Sequence, residues 1–380
     1  MIHVLSIGSD RKFFEPGSAV AARSIEYGKK LGHLSVIVFS LKSHGFAPLK
    51  LSPEVTVYPT NSLNRFLYIF DAMRIGKQVV VKEKFVRGES VVTCQDPFES
   101  GLVGWRIARH FRFPLHLQLH TDFLSPYFKT SFLQYIRVVL GKFLLPKASG
   151  VRVVSKRIVD SLKKHNVALR CEPQVLPIRI SLPGAATLGE KPVLFPEFKF
   201  TILMVSRLEK EKRIEDALTA FTHINATYPY TGLLIAGSGS QKSQLEKYAE
   251  SLGVASSVRF LGWVEDTAPL FAAADVFLTT SEYEGYGMSV IEAGLFGVPV
   301  VSTDVGVAGE VLVDGKNSYI VSVGDTMGVT ARISELIAHN EKRSVLSQAL
   351  REDIAALIPS VDAYTTAYVA GMTETLNIHS

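Results

Sequence analysis

The stretch from Val276 to Thr303 leaves this chain few ways to fold. VFLTT (276–280) is an apolar, β-branched run of strand length, and SEYEGYG (281–287) is an acidic bend broken by two glycines. A helical pattern follows over residues 287–296, and VPVVST (298–303) is a second strand-like run. Two apolar strands joined through a helix pair in parallel, with both faces of their sheet covered. The bend leaves free backbone N–H groups at the helix start, where the helix dipole also favours an anion such as phosphate. Glu284 lies just before the helix and Glu292 inside it, which separates them by about 8–12 Å along the axis. That spacing suits two parts of one elongated ligand better than a shared proton. The plainer alternative is a solvated loop Glu and a second Glu on a polar helix face.

The strand–helix alternation runs through the whole chain. IHVLSIG (2–8), the loop SDRKFFEPGSAVAARS (9–24), the helix IEYGKKLG (25–32) and the strand HLSVIVFS (33–40) make a parallel βαβ unit. The loop has no G-x-G-x-x-G, so it fails as a dinucleotide fingerprint. Gly17, Ser18 and Ala19 are all small, and at a helix start they would let backbone approach a substrate. A short strand near Val55–Tyr58, a basic aromatic helical region over 61–83 and the strand SVVTCQ (90–95) follow. Asp96 and Glu99 come directly after that strand, beyond the carboxyl end where open α/β sheets bind ligands. Asp96 fits equally as the cap of a helix over 98–110.

LHLQLH (115–120) places His120 at the carboxyl edge of its strand, just before Asp122, a position for ligand contact or for a purely structural imidazole. Residues 127–147 interleave aromatics with Lys129, Arg137, Lys142 and Lys147. They read either as an amphipathic basic helix suited to an anionic bilayer, or as a core-facing helix with a solvated basic side. GVRVVS (150–155) and a following helix close the first half.

From Pro173 to Lys199 five prolines and two glycines, Gly184 and Gly189, mark a domain boundary, drawn at residue 180. The alternation then restarts with strands at 201–206, 231–240 and 258–264 and helices at 214–225 and 241–252. Arg207 follows the first of these strands and Lys212 lies five positions later, so the two cations would bracket a diphosphate. Gly237-Ser238-Gly239 and Asp304–Glu310 are further tight turns after strands, and a last helix near 360–376 would pack back on the first half.

At 380 residues, 47% hydrophobic and 20% charged, the chain suits two globular domains. No apolar run reaches membrane-helix length, and MIHVLSIGSD reads as a buried strand rather than a signal peptide. Two cysteines, Cys94 and Cys171, have neither metal-site spacing nor disulfide density, so a reducing, cytoplasmic location is expected. Residues 1–180 hold 27 Lys+Arg against 12 Asp+Glu, net +15, and the remainder 14 against 24, net −10, together +5. A basic half facing an anionic surface or substrate explains that split, as does mutual attraction of the halves.

Taken together, Ser206-Arg207-Leu208…Lys212, the turn at 237–239, Gly262-Trp263-Val264, Glu284-Gly285-Tyr286-Gly287…Glu292-Ala293, Pro299-Val300-Val301 and Gly306…Glu310 resemble the retaining glycosyltransferases of family 4. The resemblance implies the GT-B fold, an α/β architecture of two facing Rossmann-like doubly wound domains with an interdomain cleft that holds a nucleotide-sugar. By motif, Arg207 and Lys212 would hold the diphosphate, Glu292 the ribose hydroxyls and Glu284 the donor sugar. Gly237, Gly285, Tyr286 and Gly287 would lie at the donor, and backbone near Trp263 and Val264 would read its base. His120 would be the active-site histidine of the first, acceptor-binding domain, with Gly17, Asp96 and Asp122 on its loops. The sequence departs from the family at the amino-terminal loop, which lacks paired glycines, and at Ser238, where an acidic residue is usual.

The resemblance implies transfer from a UDP- or GDP-sugar to a glycan or lipid-linked acceptor in cell-surface polysaccharide or glycolipid synthesis. It implies no cofactor, and no D-x-D metal motif is present. Peripheral contact of the basic first domain with the inner face of the cell membrane is expected, and a nucleic-acid partner is not. The alternatives are a GT-B sugar-nucleotide epimerase and a non-catalytic protein that binds sugar nucleotides or anionic lipid.

Overall fold

Strands this apolar on both faces need helices on both faces, and each half of the chain meets that demand with its own sheet. The computed structural model describes residues 1–129, 131–179 and 192–378. The described chain divides into unit 1, Met1–Pro177 with Pro359–Ser380, and unit 2, Ile178–Ile358. Residues 180–191, which include the sequence-drawn boundary with Pro183, Gly184 and Gly189, lie outside the described residues.

Unit 1 runs β1 (Ile2–Gly8), α1 (Ala19–Leu31), β2 (Gly32–Val38), β3 (Leu49–Ser52), β4 (Val55–Pro59), α2 (Tyr68–Lys82), β5 (Ser90–Cys94), α3 (Glu99–Phe111), β6 (Leu115–Leu119), α4 (Phe132–Leu144), β7 (Gly150–Val153), α5 (Lys156–Lys164) and β8 (Gln174–Val175). The sheet order is β3-β4-β2-β1-β5-β6-β7-β8, antiparallel only between β3 and β4. Helix α1 begins six residues earlier than its hydrophobic period indicates, because the Ser18 hydroxyl caps it by accepting from Ala21 N–H.

Unit 2 runs β9 (Phe200–Val205), α6 (Ile214–Thr227), β10 (Thr231–Ala236), α7 (Lys242–Ser251), β11 (Val258–Gly262), α8 (Ala268–Ala273), β12 (Val276–Thr279), α9 (Met288–Leu295), β13 (Val300–Thr303), β14 (Tyr319–Val321), α10 (Thr326–Ala338) and α11 (Asn340–Leu357). Its order is β11-β10-β9-β12-β13-β14, parallel throughout. One core cluster includes Ile202, Leu218, Phe221, Leu233 and Leu278, and other buried side chains such as Leu203, Phe271 and Phe277 lie outside it.

The C-terminal helix, Val361–Asn377, belongs to unit 1, where Tyr364, Tyr368 and Met372 enter the apolar core and the helix also covers a polar row. Thr93, His116, Gln118 and Arg152 form a buried row across β5, β6 and β7. The Arg152 guanidinium donates to Gln118 Oε1 (2.7 Å), Tyr364 Oη (2.8 Å), Pro177 O (2.9 Å) and Leu176 O (3.0 Å). Gln118 Nε2 donates onward to Thr93 Oγ1 and Tyr368 Oη, and Tyr368 stacks on Tyr27 of α1 at 4.2 Å. Burial and the Arg152 cation push the His116 imidazole down to about 3, so it stays neutral. A chain of satisfied polar groups in a low-dielectric interior specifies one docking pose for the helix. Arg152→Met leaves several of these acceptors unpaired and is expected to lower stability by about 3 kcal/mol. A fall in the urea midpoint at unchanged m-value is the check.

Candidate functional site

In unit 2 the chain winds outward from β9 through β10 and β11, then returns to lay β12 against the other side of β9. The reversal opens a crevice at the carboxyl ends of β9 and β12, where open α/β sheets bind ligands. Arg207–Arg213 leave β9 and Thr280–Gly287 leave β12, so both segments line that crevice. They are stitched together: Thr280 Oγ1 donates to the carbonyls of Lys212 and Arg213, and Glu282 N–H to that of Glu211 (each 2.9 Å). Lys212 Nζ lies 2.5 Å from Glu284 Oε1, with the lysine side chain only 12% exposed. Ser281 Oγ donates to the same carboxylate oxygen at 2.9 Å, and Thr303 Oγ1 holds the Ser281 carbonyl at 2.7 Å.

The two candidate cations therefore differ in setting. Lys212 is tied to Glu284, whereas Arg207 is 67% exposed and bound to Glu211 four positions on, at 2.7 Å. Arg213 adds a third cation, paired with Asp216 at 2.7 Å and near Glu282. Glu292 faces the opposite circumstance. Its carboxylate has no hydrogen-bond partner among the described residues, and burial raises it above the usual range. An acceptor so placed gains from any hydroxyl brought to it. Gly287 begins α9 at φ +93°, and the loop after β13 packs beneath: a Cβ on Gly306 would lie 2.7 Å from the Tyr286 carbonyl and 2.9 Å from Glu284 Cβ.

Gly237 serves packing. A Cβ there would stand 1.8 Å from the Ser206 carbonyl oxygen, and one on Gly239 would stand 2.2 Å from that of Leu208. The turn thus lies directly on the segment leading to Arg207, and Gly237 N–H donates to Gly262 O at 2.7 Å, next to Trp263. Trp263 is 67% exposed at the carboxyl end of β11, followed by half-buried Val264.

Unit 1 reverses direction between β1 and β5. Gly17 adopts φ +72° ahead of the Ser18 cap, with open space around its Cα. Asp96 Oδ1 accepts from Phe98 N–H at 2.8 Å, so its carboxylate shapes the turn before α3; the cap position itself falls on Phe98, which makes no side-chain cap bond, so Asp96 is not the helix cap. Glu99 pairs with Arg137 of α4 at 2.9 Å. Asp122 Oδ1 accepts from Leu124 N–H (3.1 Å) and Ser161 Oγ (2.8 Å), which makes it a loop and helix anchor. His120 Nε2 meets Gln95 Oε1 at 3.2 Å. Burial, then Arg152 and Arg23, pushes its imidazole down to about 3, so at neutral pH it acts as an uncharged hydrogen-bonding group. The partners Gln95, Ser281 and Glu211 were not legible as site residues; only their places at strand ends or beside charged residues hinted at them.

Two doubly wound parallel-sheet units, the second with phosphate-sized cationic groups and carboxylates gathered at its reversal, define the GT-B class. The fold comparison agrees. Sucrose-phosphate synthase from Thermosynechococcus elongatus superposes with a TM-score of 0.82 at 19% identity, over 100% of both chains. Anabaena HepE in complex with UDP and glucose gives 0.74 at 18% identity, over 98% of this chain and 100% of that one. Residues 190–353 match the family described as Glycosyl transferases group 1. LpsE of Rhizobium meliloti, a lipopolysaccharide core biosynthesis glycosyltransferase, is 32% identical over 168 residues, 44% of this chain and 48% of that protein. The chain thus spans about half the length of that curated relative. The match to the glycosyl transferases of group 1 lies in the second unit, and the solved structures share the GT-B fold of the whole chain.

Gly237→Ala is expected to cost stability of about 1–3 kcal/mol through the clash with Ser206, seen as a lower melting temperature with or without nucleotide. A loss of nucleotide affinity at unchanged stability would instead make Gly237 a ligand contact.

Proposed function

We propose that this protein is a retaining glycosyltransferase that moves a sugar from a UDP- or GDP-sugar to a hydroxyl of a glycan or lipid-linked acceptor. The observation that carries this is the gathering of Arg207, Lys212 and Glu284 at the β9/β12 reversal, with Glu292 on the helix that follows, its carboxylate without a hydrogen-bond partner among the described residues, all inside the family-matched segment. Arg207 and Lys212 take the diphosphate and hold the charge that grows on it as the anomeric C–O bond breaks. The backbone of Gly285–Gly287 lies beside those phosphates at the start of α9. Glu284 accepts hydroxyls of the donor sugar, and Lys212 is then shared between carboxylate and phosphate. Glu292 accepts the ribose hydroxyls, and backbone at Trp263 and Val264 reads the base. His120, uncharged, orients the sugar as the acceptor oxygen bonds to the anomeric carbon from the face the diphosphate leaves. The charge is carried by side chains in this scheme, with no metal assigned. HepE bound to UDP and glucose, and LpsE with its place in lipopolysaccharide core synthesis, support a nucleotide-sugar donor and a cell-surface product.

We further propose a cytoplasmic location with peripheral seating of unit 1 on an anionic membrane. No described helix is long and apolar enough to cross a membrane. The solvent side of α4, however, is the apolar one: Phe132 (80% exposed), Leu133, Tyr135, Ile136, Val139 and Phe143 face outward, while Val138, Gly141 and Leu144 face the core. Trp105 of α3 meets Phe143 edge-on at 5.4 Å, and Arg106, Arg109 and Lys147 lie over these rings. An apolar face rimmed by arginine and lysine fits the boundary between acyl chains and anionic headgroups.

A thermal-shift panel of UDP-, GDP- and ADP-sugars should single out one nucleotide. Arg207→Ala and Glu292→Ala should each weaken that donor by about 10- to 100-fold, and turnover should survive EDTA. Donor affinity should fall as acid protonates Glu292, at a pH above that of an ordinary carboxyl. Products formed from donor alone would indicate an epimerase, and donor binding with zero turnover across many acceptors a binding protein. Vesicles containing phosphatidylglycerol should co-sediment the protein and neutral vesicles should not. Ile136→Asp with Phe143→Ser should abolish that binding while leaving transfer to a soluble acceptor intact; undiminished sedimentation of the double variant removes the membrane proposal.

A further inference from the structure

We propose that Gln95 is a positioning residue that fixes His120 as the tautomer protonated on Nε2, leaving the Nδ1 lone pair to accept a substrate hydroxyl. The inference rests on the reading that His120 contacts the sugar. Gln95 follows β5 at the reversal of the unit 1 sheet, and its backbone N–H donates to Ile7 O of β1 at 3.0 Å. Its side chain is held from behind, since a Cβ on Gly8 would come within 2.8 Å of Gln95 Cγ. Only a residue without a Cβ at the end of β1 leaves that side chain its place. The Gln95 carbonyl oxygen lies 3.2 Å from His120 Nε2, and an amide oxygen can only accept, so the ring nitrogen carries the hydrogen. No partner is recorded at His120 Nδ1 among the described residues.

The surroundings keep the ring neutral. Arg23 of α1 and Arg152 of β7 are the charges that act on it, both cationic, and His116 on its own strand is itself neutral. A neutral ring with its proton held at Nε2 offers one acceptor to the substrate and no exchangeable charge. The tautomer then decides whether a hydroxyl meets the ring as donor or as acceptor.

Long-range 1H–15N spectra of the histidine-labelled full chain test this. The wild type should show His120 as a single neutral form protonated on Nε2, from pH 8 down to pH 5. Gln95→Leu should mix the tautomers and lower kcat by about 10- to 100-fold, with donor KM nearly kept. Gln95→Glu restores an acceptor, so near pH 9 it should recover both the tautomer and most of kcat. Its carboxylate also favours the imidazolium, so activity should fall toward pH 6 along a limb the wild type lacks. A wild-type signal protonated on Nδ1, or a Gln95→Leu protein with unchanged tautomer and kcat, overturns the proposal. Equal loss in both variants at every pH marks Gln95 as merely structural and overturns it as well. His120→Ala separates the two claims: full transfer by that variant defeats the role given to His120, whereas the spectra judge Gln95 independently.

Discussion

Each sheet begins at an inner strand, winds outward on one side, and then crosses back to continue on the other. That single reversal is the constraint from which the site follows. Parallel pairing sends every crossover back over a face of the sheet, so the carboxyl ends share one edge, and only at the reversal do two adjacent loops diverge. In unit 2 the diverging loops bring Lys212 against Glu284 across 72 positions of sequence. In unit 1 they bring Gly8 against Gln95, and Gln95 against His120.

The electrostatics of the second reversal are those of a site built for charge that arrives with a ligand. Lys212 and Arg213 are fixed by carboxylates in partly buried surroundings, and hydrogen bonds from Thr280 hold the backbone beneath them. Preorganised charge of this kind needs little rearrangement when a phosphate approaches, which is where electrostatic stabilisation gains over water. The Glu292 carboxylate has no hydrogen-bond partner among the described residues and is raised by burial, so a hydroxyl donor relieves a cost already present in the folded protein.

Unit 1 is organised by a different device. Arg152 is a buried guanidinium satisfied by neutral acceptors, and it joins β6, the segment after β8 and the C-terminal helix in one network. The same unneutralised cation contributes to keeping His116 and His120 uncharged. The docking of the last helix and the chemistry of the candidate histidine therefore draw on one residue.

Much of this was legible in the chain itself. Apolar strands alternating with amphipathic helices determine two parallel sheets, because only that arrangement covers both faces of such strands, and local motifs marked Arg207, Lys212, Glu284 and Glu292. Local sequence also misled. The capping power of Ser18 starts α1 before its apolar period begins, and the strands β3, β8 and β14 are too short to register as periodic runs. Asp96 and Asp122 had the right chemistry for a site, yet backbone amides and Ser161 engage them. Whether 127–147 turned its apolar or its basic side to solvent depended on which face the core took. The partners were beyond reach for one reason: Lys212 with Glu284, Gln95 with His120 and Arg152 with Tyr364 meet only because strands distant in sequence lie side by side. Sequence by itself determined the main strands and helices, the fold class and the residue types of the site. Tertiary structure decided which of those groups are paired, which are left open and which charge each one feels, since these depend on distances that only the packed sheet sets.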